Sequence, residues 1–161
     1  DCRGNYDQEM PTIRTKVSPK DEFLVKFWRM AQYFAPSNNV KVTLPGPMTI
    51  IDTCAVDSPD LYDNNHELLA MDLAEALNVE VLRLIEAGVK IVQIDEPLWA
   101  RKVENAKKYG FNAMERAFKN VGADIFKCVH ICCGYTNLVD QDDYNKANNH
   151  AYVQLSEGID N

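Results

Sequence analysis

Apolar positions along this chain fall into two alternating rhythms. Short aliphatic and β-branched runs at 12–17 (TIRTKV), 40–44 (VKVTL), 89–95 (VKIVQID) and 123–133 (ADIFKCVHICC) predict strands. Longer stretches with helical spacing lie between them. Ser18, Pro19 and Asp21 are helix-start residues at the cap, first and third positions, and predict a helix over DEFLVKFWRMAQYF that Ala35-Pro36 stops. Leu69, Leu73, Leu77, Val81 and Leu84 mark one face of a second helix, with Gly88 as its stop. Residues 99–120 predict a helix in two pieces, weakened at Gly110 and restarted by an Asn112/Glu115 cap pair. Pro45-Gly46-Pro47 predicts a stiffened loop after the second strand. The tail from Leu138 is polar, then mildly helical over 145–158.

Strands alternating with helices imply βαβ units and a parallel sheet, hence an α/β fold. About four such units would make half of a (β/α)8 TIM-type barrel, whose full size is roughly 250 residues. An open parallel sheet of four or five strands is the alternative, and periodicity does not choose between them. No repeat, low-complexity tract or linker divides the chain, so residues 1–161 are expected to form one partial barrel domain.

Composition narrows the function classes. The 161 residues are 46% hydrophobic and 25% charged, the profile of a soluble globular domain. A net charge of −7 and the lack of a Lys/Arg cluster argue against nucleic acid as a partner. The apolar runs fall short of the roughly 20 residues of a membrane span. The opening DCRGNYDQEM is too polar and acidic for a signal peptide, and it lacks Met, which suggests a piece of a longer polypeptide. Cysteines 2, 54, 128, 132 and 133 are odd in number and lack disulfide-framework spacing, so free thiols in a reducing, cytoplasmic compartment are expected.

Chemistry in parallel α/β folds gathers at the carboxyl ends of strands. Residues two apart share a strand face, so Gln93 and Asp95 go together, as do Cys128, His130 and Cys132. Glu96 and Cys133 are expected to point the other way. Asp95 either caps a loop or helix start, or faces a ligand. His130 and Cys132 are either a packed strand pair or two ligands of one Zn²⁺, which imidazole nitrogen and thiolate sulfur reach at about 2.0 and 2.3 Å. Zinc needs four donors, or three and an open position, so the pair alone is not a site.

Three stretches in this order, VKVTLPGPMTI, EAGVKIVQIDEPLW and VHICCGY, resemble the cobalamin-independent methionine synthase family. The likeness is to its C-terminal catalytic barrel and to short single-barrel homologues, and it spans about residues 38–137. The resemblance implies a (β/α)8 methyltransferase in which Zn²⁺ holds the sulfur of homocysteine for attack on a methyl group carried by a folate. It implies that His130 and Cys132 are the first two zinc ligands and that Asp95 contacts the substrate's amino group. The Pro45-Gly46-Pro47 loop lies near the site without an assigned role. The family's remaining ligands, a glutamate and a second cysteine, belong to later strands, so the chain is expected to carry at most half of the metal site. Cys128 or Cys133 are substitute ligands to consider; Glu157 has suitable spacing but stands in no strand-end pattern. A zinc-thiolate enzyme alkylating another thiol, of the epoxide–thiol transferase type, is one alternative. An inactive fragment serving as an interaction module is another. An incomplete barrel leaves open sheet edges, through which self-association is expected.

Overall fold

The structure is a computed structural model and describes residues 9–63, 65–132 and 149–159. Its centre is a three-stranded parallel sheet of order β2-β4-β5, with β2 at Val42–Pro45, β4 at Ile91–Asp95 and β5 at Phe126–His130. Helix α3 (His66–Glu86) connects β2 to β4, and α5 (Phe111–Ala117) lies between β4 and β5. The predicted first strand does not join this sheet. Only Thr12–Ile13 is extended (β1), and it pairs in parallel with β3 (Ala55–Val56). The described residues therefore contain an α/β parallel sheet without barrel closure, and the expected fourth strand of a half barrel is a separate two-residue pairing.

The helices pack on one face of the sheet. Val42 and Leu44 of β2 and Val92 of β4 meet Val81 and Leu84 of α3 and Val25 of α1 (Val25–Phe34) in one cluster. Ile94 belongs to a second cluster, with Leu69 and Leu73 of α3, Met114 of α5, and Leu155 of α6 (Asn149–Ile159). Burial of these aliphatic side chains, worth about 1.5–3 kcal/mol each, fixes the strand register.

Several expectations shift for physical reasons. Helix α1 begins at Val25, not at Ser18-Pro19, because Glu80 of α3 supplies the cap: its Oε1 accepts from the backbone N–H of Phe23 (3.2 Å) and Leu24 (2.9 Å). A donor-satisfying carboxylate from 56 residues away has no local signature. Pro45-Gly46-Pro47 is not a loop. Pro45 is the last residue of an edge strand, where a missing N–H is tolerated, and Pro47 opens helix α2 (Pro47–Thr53) at its first position.

The 99–120 region does not break at Gly110. A short helix α4 (Val103–Asn105) runs through a π-helical turn (Ala106–Gly110) directly into α5, and Asn112 lies inside α5. Gly110 is small because the Trp99 indole crosses it: a Cβ there would stand 3.0 Å from Nε1. Helix α3 and its stop agree with expectation, with Gly88 at φ +115°. Strand β5 ends at His130, short of the predicted 133, which leaves Cys132 beyond the strand; Cys133 and Gly134 lie outside the described residues.

Candidate functional site at the strand ends

Among the described residues, the face of the sheet turned away from the helices carries Gln93, Asp95, Cys128 and His130, and Cys132 follows β5. Register aligns Thr43, Gln93 and Cys128 in one cross-strand row, and Pro45, Asp95 and His130 in the next. Asp95 and His130 are the final residues of their strands and direct partners, on strands that neighbour at about 4.8 Å. Both are half-buried, as are Gln93, Cys128 and Cys132, while Thr43 and Pro45 are exposed. The opposite face holds Leu44, Val92 and Ile94, all sealed under helices. Chemistry in parallel α/β folds gathers at the carboxyl ends of the strands, where Asp95 and His130 stand.

Glu96, the residue after Asp95, does point the other way, and it proves to be the residue that builds this end of the sheet. Its side chain is 0% exposed. Oε1 accepts from the backbone N–H of Met48 at 2.9 Å. Oε2 accepts from the Thr49 N–H at 3.0 Å and from its Oγ1 at 2.9 Å. Gly46, the N-cap of α2, has no side chain to offer these donors, so the carboxylate from the end of β4 caps the helix across the sheet. The backbone of the same segment closes the arrangement. The Gly46 N–H donates to the Asp95 carbonyl at 2.8 Å, Thr49 Oγ1 shares its single proton between Glu96 Oε2 and that carbonyl at 3.2 Å, and the Glu96 N–H donates to the His130 carbonyl at 2.9 Å.

This role was not legible from alternation, which only set Glu96 apart from Asp95. The available signal was Gly46. A Cβ there would stand 2.3 Å from the Glu96 carboxyl carbon, so glycine between two prolines marks a close approach rather than a turn. Burial pushes the Glu96 carboxyl above its ordinary value; the hydrogen bonds from Met48 and Thr49 pull it back, and the neighbouring Asp95 carboxylate adds to the rise.

Other features lie apart from the row. A cavity of about 450 Å³ between α3 and α5 is lined by Glu67, Met71, Asn112 and Arg116. One of about 330 Å³ beside α2 is lined by Asp52, Cys54, His66, Lys102 and Tyr109. Neither is lined by Asp95, His130 or Cys132. Glu157 sits in α6, not at a strand end.

The arrangement is that of a parallel α/β unit with a carboxylate, an imidazole and a thiol at its strand ends. Comparison with known proteins gives the family of this α/β unit. The family described as cobalamin-independent synthase, catalytic domain, matches residues 2–141. Methionine synthase of Saccharolobus solfataricus is 34% identical over 136 residues, covering 84% of this chain and 39% of that protein. Its counterpart in Saccharolobus islandicus is 36% identical over the same length. The solved structure of a B12-independent methionine synthase from Shewanella sp. W3-18-1, in complex with selenomethionine, superposes with a TM-score of 0.71 at 34% identity, over 83% of this chain and 37% of that one. The chain belongs to the cobalamin-independent methionine synthase catalytic-domain family, and it spans 39% of the length of the S. solfataricus relative.

The donor types fit zinc, and their number does not complete a site. His130 and Cys132 offer nitrogen and sulfur, the ligands zinc prefers. No group of three or more His, Cys, Asp or Glu is arranged to hold a metal among the described residues. Cys128 shares the His130 face without forming such a group, and Cys133 lies outside the described residues.

Two predictions follow from the Glu96 cap. Gly46→Ala should lower stability in urea unfolding by about 2 kcal/mol or more, since the methyl meets a carboxylate pinned by three hydrogen bonds. Because burial raises the folded-state Glu96 carboxyl, the folded protein keeps a proton that the unfolded chain releases. Its contribution to stability is therefore full below the ordinary value of 4.5 and is lost as pH rises through the folded one. Urea unfolding across this range should show Glu96→Gln gaining on the wild type with rising pH; a pH-independent difference would contradict it.

Proposed function

We propose that this chain carries part of the site of a zinc-dependent methyl transfer to the thiol of homocysteine, with the methyl group delivered by a folate. The observation that carries the reading is the register pairing of Asp95 with His130 at the strand ends, with Cys132 two residues on. Family membership supports it, as does the amino-acid ligand in the name of the Shewanella relative's structure.

In this reading His130 and Cys132 contribute two zinc donors, and the remaining donors come from outside the described residues. Zinc bound there would keep a substrate thiol, ordinarily of pKa about 8.5, in its nucleophilic thiolate form at neutral pH. Asp95, on the adjacent strand, receives the substrate ammonium, so the amino acid is held by its charged end. Glu96 does not touch substrate. It holds the backbone of Asp95 and His130 so that their side chains emerge from the same edge of the open face. A chain that is inactive alone is the competing reading.

Metal analysis of the reduced, purified full chain should find about one zinc per chain, and Cys132→Ser should abolish it. A reduced wild-type chain that takes up no zinc would overturn the proposal.

A further inference from the structure

A hydrogen-bonded chain of three side chains crosses the open face behind Asp95. Lys41, which precedes β2, donates from Nζ to Oε1 of Gln93 at 2.6 Å. Gln93 in turn donates from Nε2 to Oδ1 of Asp95 at 2.6 Å. The polarity of this chain is fixed by its ends. A lysine ammonium only donates and an ionised carboxylate only accepts, so the glutamine oxygen must face Lys41 and its amino group must face Asp95. Both contacts involve a charged group, which makes them the stronger kind of hydrogen bond.

From this geometry we infer that Gln93 is the residue that orients the Asp95 carboxylate for the α-ammonium of an amino-acid substrate. Gln93 occupies one carboxylate oxygen and sets the plane of the group, which leaves Oδ2 directed to accept from a ligand. No other amino-acid side chain of this length spans an obligate donor and an obligate acceptor in this way. Glutamate would set a second negative charge against Asp95, and leucine would release the carboxylate to rotate. Lys41 acts one step further back, by holding the amide in the required orientation. The inference rests on the assignment of Asp95 to substrate recognition, and Gln93 is a positioning residue within it.

The test uses the full chain and two ligands that differ only in the amino group: methionine and its des-amino analogue, 4-(methylthio)butanoate. Titration calorimetry should show that wild type prefers methionine. Gln93→Leu should weaken methionine binding about ten-fold, the worth of one hydrogen bond to a charged group, and leave the analogue unchanged. Gln93→Glu should weaken methionine similarly or more, and Lys41→Met should fall between wild type and Gln93→Leu. Combining Gln93→Leu with Asp95→Ala should cost no more than Asp95→Ala alone. Equal weakening of both ligands in Gln93→Leu would mean general scaffolding and would overturn the inference, as would unchanged methionine binding. Failure of wild type to prefer methionine over the analogue would instead overturn the assignment of Asp95 on which it rests.

Discussion

A single buried carboxylate organises the working end of this sheet. Placing Glu96 in a site without solvent contact carries a desolvation cost that only donors already fixed in position can offset. Those donors are the first free N–H groups of helix α2 and one threonine hydroxyl. The same residue's N–H reaches the last carbonyl of β5, and the carbonyl before it receives Gly46 and Thr49. The carboxyl ends of β2, β4 and β5 are thereby tied through one peptide, Asp95-Glu96. Gly46 is the steric condition for this tie and Pro47 sets the helix start that supplies it.

The tie explains how one short sequence separates structure from chemistry. Along QIDE, the side chains of Gln93 and Asp95 stay on the open face, while Ile94 and Glu96 enter the covered side. Two adjacent carboxylates thus take opposite roles. One is consumed by the fold and the other remains available at the surface, aligned with His130. Parallel sheets of this kind are ordinarily covered on both faces, and in the family to which the chain belongs the matched relatives are more than twice as long as the matched region.

Most of the main sheet was legible in the sequence, because its strands are aliphatic runs and α3 keeps one clean apolar stripe. Asp95 and His130 were legible by the same alternation rule, which placed them on shared faces before any pairing was known. What escaped were features made by contacts distant in sequence. The cap of α1 comes from Glu80, so the helix-start residues at 18–21 pointed to a start that the fold does not use. Helix α2 hid inside a stretch whose prolines and glycine suggested a loop, since its cap comes from Glu96 and not from a neighbour. The first strand paired with β3, a two-residue partner too short to carry a periodic signal. The partial barrel was an inference from counting units, of which the described residues show a three-stranded parallel sheet without closure.

Amide hydrogen exchange in wild type and Glu96→Ala tests whether the Glu96 side chain, by anchoring α2, keeps in place the Asp95-Glu96 peptide that joins the three strand ends. Protection should be lost at Met48 and Thr49, whose partner is removed. Protection should also fall at the amides of Gly46 and residue 96, which bond to the Asp95 and His130 carbonyls, while amides within α3 around Val81 and Leu84 keep theirs. Loss confined to Met48 and Thr49, with the amides of Gly46 and residue 96 still protected, would contradict this anchoring role.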